Sequence, residues 1–319
     1  MKTAVLCYHS WNLELRFLAE DIEGLRKNGW KDISLAELVT LKKRRGLSGK
    51  KFFHITNDDA APADGSFSDC LQSLACPATF FVPSGNLLPD RVDFYRRLDQ
   101  GGLVTIEDHS LHHRKMFLGP KFVEFFSEKA RSTGLEPLRL ERGMPIVEFG
   151  SELAGPLFHV DEKVNAFCKV KSNGVDLSDV ESTLRDLIRP LISLGLARKR
   201  AGRIYVLGHF ESRVAYRRRI EEYLKEGRRR FEAIFERVPL AFCYPIYQFS
   251  AETERCLGAL GYELRFAGMN RLWNGRSALV PRISVGTASP RPLDLDAMSR
   301  RPLRQRAGDA LMAVGLKSG

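Results

Sequence analysis

The chain predicts an α/β fold in which parallel strands alternate with helices and close into a wound sheet or a barrel. Three observations carry this. Strand-length apolar runs recur through the first part of the chain, separated by apolar stripes at three-and-four spacing. The alternation resumes late, at Ile204–Leu207, Leu240–Tyr244 and Leu279–Val285. With 319 residues, 44% hydrophobic and 28% charged, the chain can bury a full core without disulfide or zinc staples.

Thr3–Tyr8 is the first strand candidate. Leu15, Leu18, Ile22 and Leu25 follow at helical spacing, and Asn28-Gly29 ends that helix. Ser34-Leu35-Ala36-Glu37 is a capping-box pattern, in which serine and glutamate satisfy each other's orphan backbone donors; it opens a helix through Leu41. After a basic loop, Lys42–Lys51, the run Lys51–Thr56 reads as a strand whose end delivers Asn57-Asp58-Asp59. Phe67, Leu71 and Leu74 share one helix face, and Ala78–Val82 is the next strand, closed by Pro83-Ser84-Gly85. Asp90–Asp99 reads as a helix stopped by Gly101-Gly102. Leu103–Ile106 is then a strand with Glu107–His113 at its exit. Wound sheets and barrels both gather their chemistry at the carboxyl ends of strands, where Asp58-Asp59 and His109–His113 fall.

The middle reads differently. Pro120–Gly134 has proline near its start and glycine past its end, a helix signature. Ser178-Asp179-Val180-Glu181 is a second capping box, opening a stripe of Val180, Leu184, Leu187, Ile188 and Leu191. Helices without clear intervening strands predict a mainly helical, cap-like insertion. Glu211–Arg237 is a long basic helix and Ser250–Leu260 a shorter one ended by Gly261. The expected organisation is residues 1–113 as the first part of the barrel, 114–203 as the insertion, 204–288 as the remainder and 289–319 as a basic tail.

Lysine and arginine outnumber aspartate and glutamate 50 to 39, a net charge of +11. The excess clusters at Lys42-Lys43-Arg44-Arg45, Arg217-Arg218-Arg219, Arg228-Arg229-Arg230, and Arg300, Arg301, Arg304 and Arg306. Such clusters suit a phosphate-bearing substrate or peripheral contact with an anionic membrane. No zinc-finger or RNA-binding signature accompanies them, so specific nucleic-acid binding is not expected, and no obligate protein partner is implied. The longest apolar runs fall far short of the ~20 residues that span a bilayer. The first residues lack the long apolar core of a secretory signal, and the six cysteines form no CxxC pair. A reduced, cytoplasmic protein is the expectation.

His109-Ser110-Leu111-His112-His113 holds three of the seven histidines. On a helical turn, His109 and His113 would project from one face and share a metal ion. Of the adjacent carboxylates Asp58 and Asp59, one can ligate while the other stays free as a base. Two histidines and a carboxylate form a known zinc set with an open position for water. Bound zinc lowers that water's pKa toward ~7. His54 lies within a strand and reads as a packed core histidine; Cys243 reads as a small buried residue.

Here the chain resembles the polysaccharide deacetylases of carbohydrate esterase family four, which share the nodulation-factor deacetylase homology domain. Their Thr-Phe-Asp-Asp-Gly motif is matched by Thr56-Asn57-Asp58-Asp59-Ala60, and their Pro-Ala-Thr-Phe-Phe-Val strand by Pro77–Val82. Their His-Ser/Thr-x-x-His motif matches His109–His113. Phe242-Cys243-Tyr244-Pro245, Val280-Pro281-Arg282-Ile283 and an opening Tyr8-His9-Ser10 match further segments. The resemblance implies a distorted (β/α)7-type barrel and metal-dependent removal of an N-acyl group, usually acetyl, from an amino sugar. It assigns Asp59, His109 and His113 to one divalent ion, most simply zinc, and Asp58 to the general base.

The departures matter. Asn57 replaces phenylalanine, Ala60 replaces glycine, and Cys243 stands where an arginine often pairs with the base. Arg282 is the candidate to take that arginine's place, its alternative being a salt bridge on the barrel rim; Tyr244 and His209 join it as substrate-binding or orienting residues. The acid that protonates the departing amine is expected at His9, delivered by the first strand, with His209 as its competitor. The alternative reading of the whole chain is a catalytically inactive carbohydrate-binding relative on the same barrel. A third is a protein that uses its basic patches on a membrane or nucleic acid.

Overall fold

Strand and helix alternate from the start as the apolar spacing dictates. The order is β1 (Lys2–Tyr8), α1 (Leu15–Lys27), β2 (Lys31–Asp32), α2 (Leu35–Lys43), β3 (Lys51–Asp58), α3 (Asp64–Ser73), β4 (Ala78–Val82), α4 (Pro89–Gln100) and β5 (Val104–Asp108). The structure, a computed structural model, describes residues 2–12, 14–44, 50–127, 138–286, 289 and 293–295. The basic tail with Arg300, Arg301, Arg304 and Arg306, and Arg45 of the first basic cluster, lie outside the described residues. The Ser34–Glu37 capping box forms as read, each side chain bonding the other residue's backbone N–H.

After β5 come β6 (Lys115–Phe125), β7 (Pro145–Ser151), β8 (Phe158–Val160), α5 (Glu162–Lys171), α6 (Val180–Thr183) and α7 (Arg189–Ser193). Then follow β9 (Ala197–Arg200), β10 (Arg203–Val206), β11 (Gly208–Phe210), α8 (Arg213–Phe235), β12 (Ala241–Cys243), α9 (Ala251–Ala259), β13 (Leu264–Gly268) and β14 (Leu279–Ser284). Two compact units result: residues 114–220, and the described residues on either side of them.

In the flanking unit seven parallel strands close in the order β1-β14-β13-β12-β5-β4-β3, with β3 returning to β1 and β2 added at the edge of β3. This is the distorted (β/α)7 barrel expected. Period-two alternation sends Val5, Phe81, Cys243, Phe266 and Val280 into one cluster inside the strands. Ala4, Leu6, Phe53, Ile55, Phe80 and Val82 face the other way and pack against Leu18, Ile22, Phe67, Leu71 and Phe231 of the helices.

The 114–220 unit is built on different pairing. β7-β6-β10-β9 form an antiparallel sheet and β8 pairs antiparallel with β11. Strands therefore share with helices the stretch expected to be mainly helical. The helix expected at Pro120–Gly134 is replaced up to Phe125 by β6, and residues 128–134 lie outside the described residues. Pro120 sits where the β6–β7 register shifts between Phe117 and Phe122, a bulge that tolerates a residue without a backbone donor. The Ile204–Leu207 strand exists as β10, but it pairs with β9 and β6 rather than with barrel strands. The second capping box also differs. Asp179 caps α6, while the Ser178 hydroxyl bonds Asp176 at 2.6 Å.

Candidate active site

Asp58 is the last residue of β3 and shares the strand's inner face with Phe52, His54 and Thr56. It is 2% exposed. Arg282, two positions from Val280 on the inner face of β14 and itself fully buried, grips it with two hydrogen bonds of 2.7 Å, one to each carboxylate oxygen. Burial works against the charged carboxylate, but the Arg282 guanidinium outweighs it and holds Asp58 far below the usual carboxylate range. The guanidinium lies between two rings, 5.7 Å from the Phe81 centroid and 5.2 Å from Tyr247. Two thiols complete this side: Cys7 Sγ at 3.6 Å and Cys243 Sγ at 3.5 Å from Asp58 Oδ2. Burial pushes the Cys7 thiol up to about 12 and Cys243 well above its ordinary value, so both stay protonated.

One residue on, the environment changes. Asp59 has left the strand with a φ of 80°, its side chain 29% exposed. Three imidazoles converge on it: His109 Nε2 at 3.2 Å and His113 Nε2 at 3.4 Å from Oδ1, and His9 Nε2 at 3.6 Å from Oδ2. Burial raises Asp59 and the hydrogen bond from His109 lowers it, the net direction being down. Burial alone would lower His109, but the negative charges of Asp58 and Asp59 raise it. His113 goes the other way, to about 4, through burial and the charge of His109.

The histidine motif is not the helical turn its spacing suggested. His109–His113 is an irregular loop in which Ser110 and His113 take left-handed φ of 74° and 53°. The loop still brings the His109 and His113 rings to 4.9 Å between centroids. Ser110 secures it by accepting a hydrogen bond from the His113 N–H at 3.1 Å. The turn after β4 fastens it from the side, Gly85 N–H donating to Leu111 O at 2.6 Å. A Cβ on Gly85 would lie 2.4 Å from the Leu111 carbonyl, so only glycine allows this approach.

The ligand atoms of Asp59, His109 and His113 lie within 4.8 Å of one another. His109 Nδ1 sits 3.0 Å from the backbone carbonyl of Cys243, which can only accept. Nδ1 therefore carries a hydrogen in either state: the protonated ring also donates from Nε2 to Asp59, while the neutral ring turns the Nε2 lone pair toward it. That orientation brings together electron pairs that only a proton or a cation can bridge, and a carbonyl-fixed tautomer is the usual support of a metal-binding histidine. The donor set fits one divalent ion.

The structure also places the other candidates. His9 is at the site, reached from the end of β1. His209 lies in the 114–220 unit on β11, stacked on His159 at 5.3 Å, and not on a barrel strand. Tyr244, expected beside a substrate, is fully buried and stacks on Phe249 at 4.2 Å between ring centroids. His54 is the core residue expected, bonded to Ile33 O at 2.6 Å and Thr79 Oγ1 at 2.9 Å. Sequence reasoning missed Cys7 and Tyr247. Alternation along β1 sets Cys7 on the inner face with Val5, a signal that was present. Tyr247 follows β12 in a turn where Ile246 and Tyr247 both have left-handed φ, and no local pattern announces it. Its ring lies so close to β13 that a Cβ on Gly268 would meet it at 2.5 Å.

The barrel places the chain in a class: it has the fold of the polysaccharide deacetylases. It is similar to a de-N-acetylase from Aggregatibacter actinomycetemcomitans (TM-score 0.60, 15% identity, covering 91% of this chain and 97% of that one). It is also similar to the BpsB deacetylase domain from Bordetella bronchiseptica (TM-score 0.58, 13% identity, 89% and 96%). A third is the Streptococcus pyogenes deacetylase PplD, solved in complex with acetate (TM-score 0.54, 13% identity, 95% and 99%). No family model and no curated protein sequence matches the chain. What these structures share with it is the fold.

Proposed function

We propose that the protein hydrolyses the N-acyl group, acetyl in the simplest case, of an amino sugar in a glycan, using one divalent ion, zinc in the first instance. The observation that carries this reading is the convergence of Asp59, His109 and His113 beside an Arg282-held Asp58, on a fold whose solved counterparts include de-N-acetylases. Asp59, His109 and His113 would hold the ion, which when bound supplies Lewis acidity toward an amide carbonyl and makes water more acidic. Asp58 accepts the proton that the attacking water gives up. Arg282 keeps that carboxylate ionised and fixes its plane, the task of the arginine that Cys243 displaced. His9 has a ring nitrogen within 4.8 Å of an Asp58 oxygen and touches Asp59, a position from which it can protonate the departing amine.

The test is metal analysis of the purified protein combined with amine release from a panel of N-acetylated and N-formylated hexosamines, free and in oligomers. About one equivalent of metal, lost in His113→Ala together with amine release, is the expected result. Full metal occupancy in His113→Ala, or no amine from any member of the panel with metal bound, overturns the reading.

A further inference from the structure

Trp11 is the residue at this site that the proposed chemistry leaves without a task. Of the three tryptophans, Trp30 and Trp273 are buried at 3% and 2% exposure, whereas Trp11 is 60% exposed. A single exposed apolar side chain is ordinary on a protein surface. Two features set this one apart. Its indole meets the His9 ring edge-on at 5.6 Å between centroids, and His9 in turn touches Asp59 at 3.6 Å. The short 3-10 turn that carries it, Ser10–Asn12, is also anchored from below.

That anchor is a buried polar network. The Ser10 backbone N–H donates to Asn57 Oδ1 at 2.9 Å, and the Ser10 hydroxyl donates to Asp64 Oδ1 at 2.6 Å. Asn57 Nδ2 donates to the same Asp64 oxygen at 2.7 Å, and the Tyr95 hydroxyl donates to Asp64 Oδ2 at 2.5 Å. Asn57 stands where the resembled motif has phenylalanine. Strand alternation points it away from Asp58, toward the helix layer, where a phenyl ring could make neither bond. The substitution thus ties the residue between His9 and Trp11 to the end of β3 and to α3. Such a network fixes a turn, and a fixed turn loses little freedom when a ligand settles on it.

We propose that Trp11 is a sugar-stacking platform, receiving the pyranose ring next to the N-acyl unit held at Asp59 and His9. A pyranose presents a face of C–H groups ringed by hydroxyls. A large flat indole buries that face while the hydroxyls stay solvated at its edge. The proposal rests on the deacetylase reading only in taking a hexosamine glycan as the ligand.

The buried state of Trp30 and Trp273 makes Trp11 its own reporter. Titrating the metal-loaded protein with N-acetylglucosamine tetramers, β-1,4- or β-1,6-linked, should shift or quench tryptophan emission saturably. Calorimetry with the same tetramers should show Trp11→Ala binding about tenfold more weakly, and Trp11→Phe, which keeps a ring, within about threefold of wild type. The KM for the better tetramer should rise in Trp11→Ala by more than its kcat falls. Tetramer binding without an emission change, equal affinity in Trp11→Ala, or no binding of either tetramer overturns the platform. The two readings fail separately. A protein that binds tetramers through Trp11 and releases no amine loses the reaction and keeps the platform. One that releases amine with an unchanged KM in Trp11→Ala loses the platform and keeps the reaction.

Discussion

Asp58 and Asp59 are neighbours in sequence and occupy two different solvents. Asp58 ends a strand, faces the barrel interior and has as partners one guanidinium and two protonated thiols. Asp59 begins a loop, keeps access to water and faces three imidazoles. A chain reversal of one residue, with a left-handed φ at Asp59, separates them. The contrast shows how one fold gives two chemically identical groups separate environments. A dry pocket with a permanent cation keeps a resting carboxylate charged, and a half-open ring of nitrogen donors gives its neighbour the surroundings a metal ligand would need.

The largest way to break the contrast is to remove the charge on the dry side. Asp58→Asn should retain metal and lose turnover by ~100–10,000-fold, because an amide cannot take the water's proton. It also leaves Arg282 buried without its counter-ion, so activity must be compared at equal folded fraction, followed by circular dichroism. Turnover within a few-fold of wild type would remove Asp58 from the chemistry.

His9 and His209 test the wet side. His9→Ala should keep metal and lose most turnover, since general acids contribute on the order of 100-fold or more. His209→Ala should retain most of it, because His209 lies on β11, paired antiparallel with β8 and not on a barrel strand. Reversal of the two results would move the acid to His209.

Stability should follow the dry side. Arg282→Met should lower unfolding free energy by about 3–5 kcal/mol, since it strands a buried carboxylate. The double variant Arg282→Met with Asp58→Leu should recover most of that, because an apolar pair of similar volume no longer carries an uncompensated charge. Urea unfolding of the single and double variants measures both; an additive double variant would mean the pair is not coupled.

The smallest effect lies further along the same inner face of β3. Burial lowers His54 from its ordinary 6.5 to about 4. The unfolded chain therefore takes up a proton below pH ~6.5 that the folded one refuses until pH ~4, so stability is lost as pH falls through that window. The shift sets an upper bound of ~3 kcal/mol. Between pH 7 and pH 4.5 wild type should lose more stability than His54→Gln in matched urea titrations. Equal losses would place the acid sensitivity elsewhere.

The barrel was legible because parallel strands buried on both faces leave runs such as Ala78–Val82, and helices between them leave stripes. The 114–220 unit was not. Its strands are short or bulged, and Pro120 within β6 imitates a helix start when read locally. The meeting of Asp59 with His109 and His113 was legible from the histidine pair and the paired aspartates, although the loop joining the histidines is not helical. Arg282 was legible only as a substitute for a missing arginine. Tyr247, which covers it, was not legible at all.

By itself the sequence determined which residues could do chemistry and at which strand ends they would stand, because period-two and period-3.6 burial are local properties of the chain. Tertiary structure alone decided which carboxylate is dry. Closing the barrel brings Cys7, Asp58, Cys243 and Arg282 from four strands, β1, β3, β12 and β14, into one contact. No window of sequence contains that contact. The charge on Asp58 depends on it, since in a dry interior a carboxylate stays ionised only where a distant part of the chain delivers a cation.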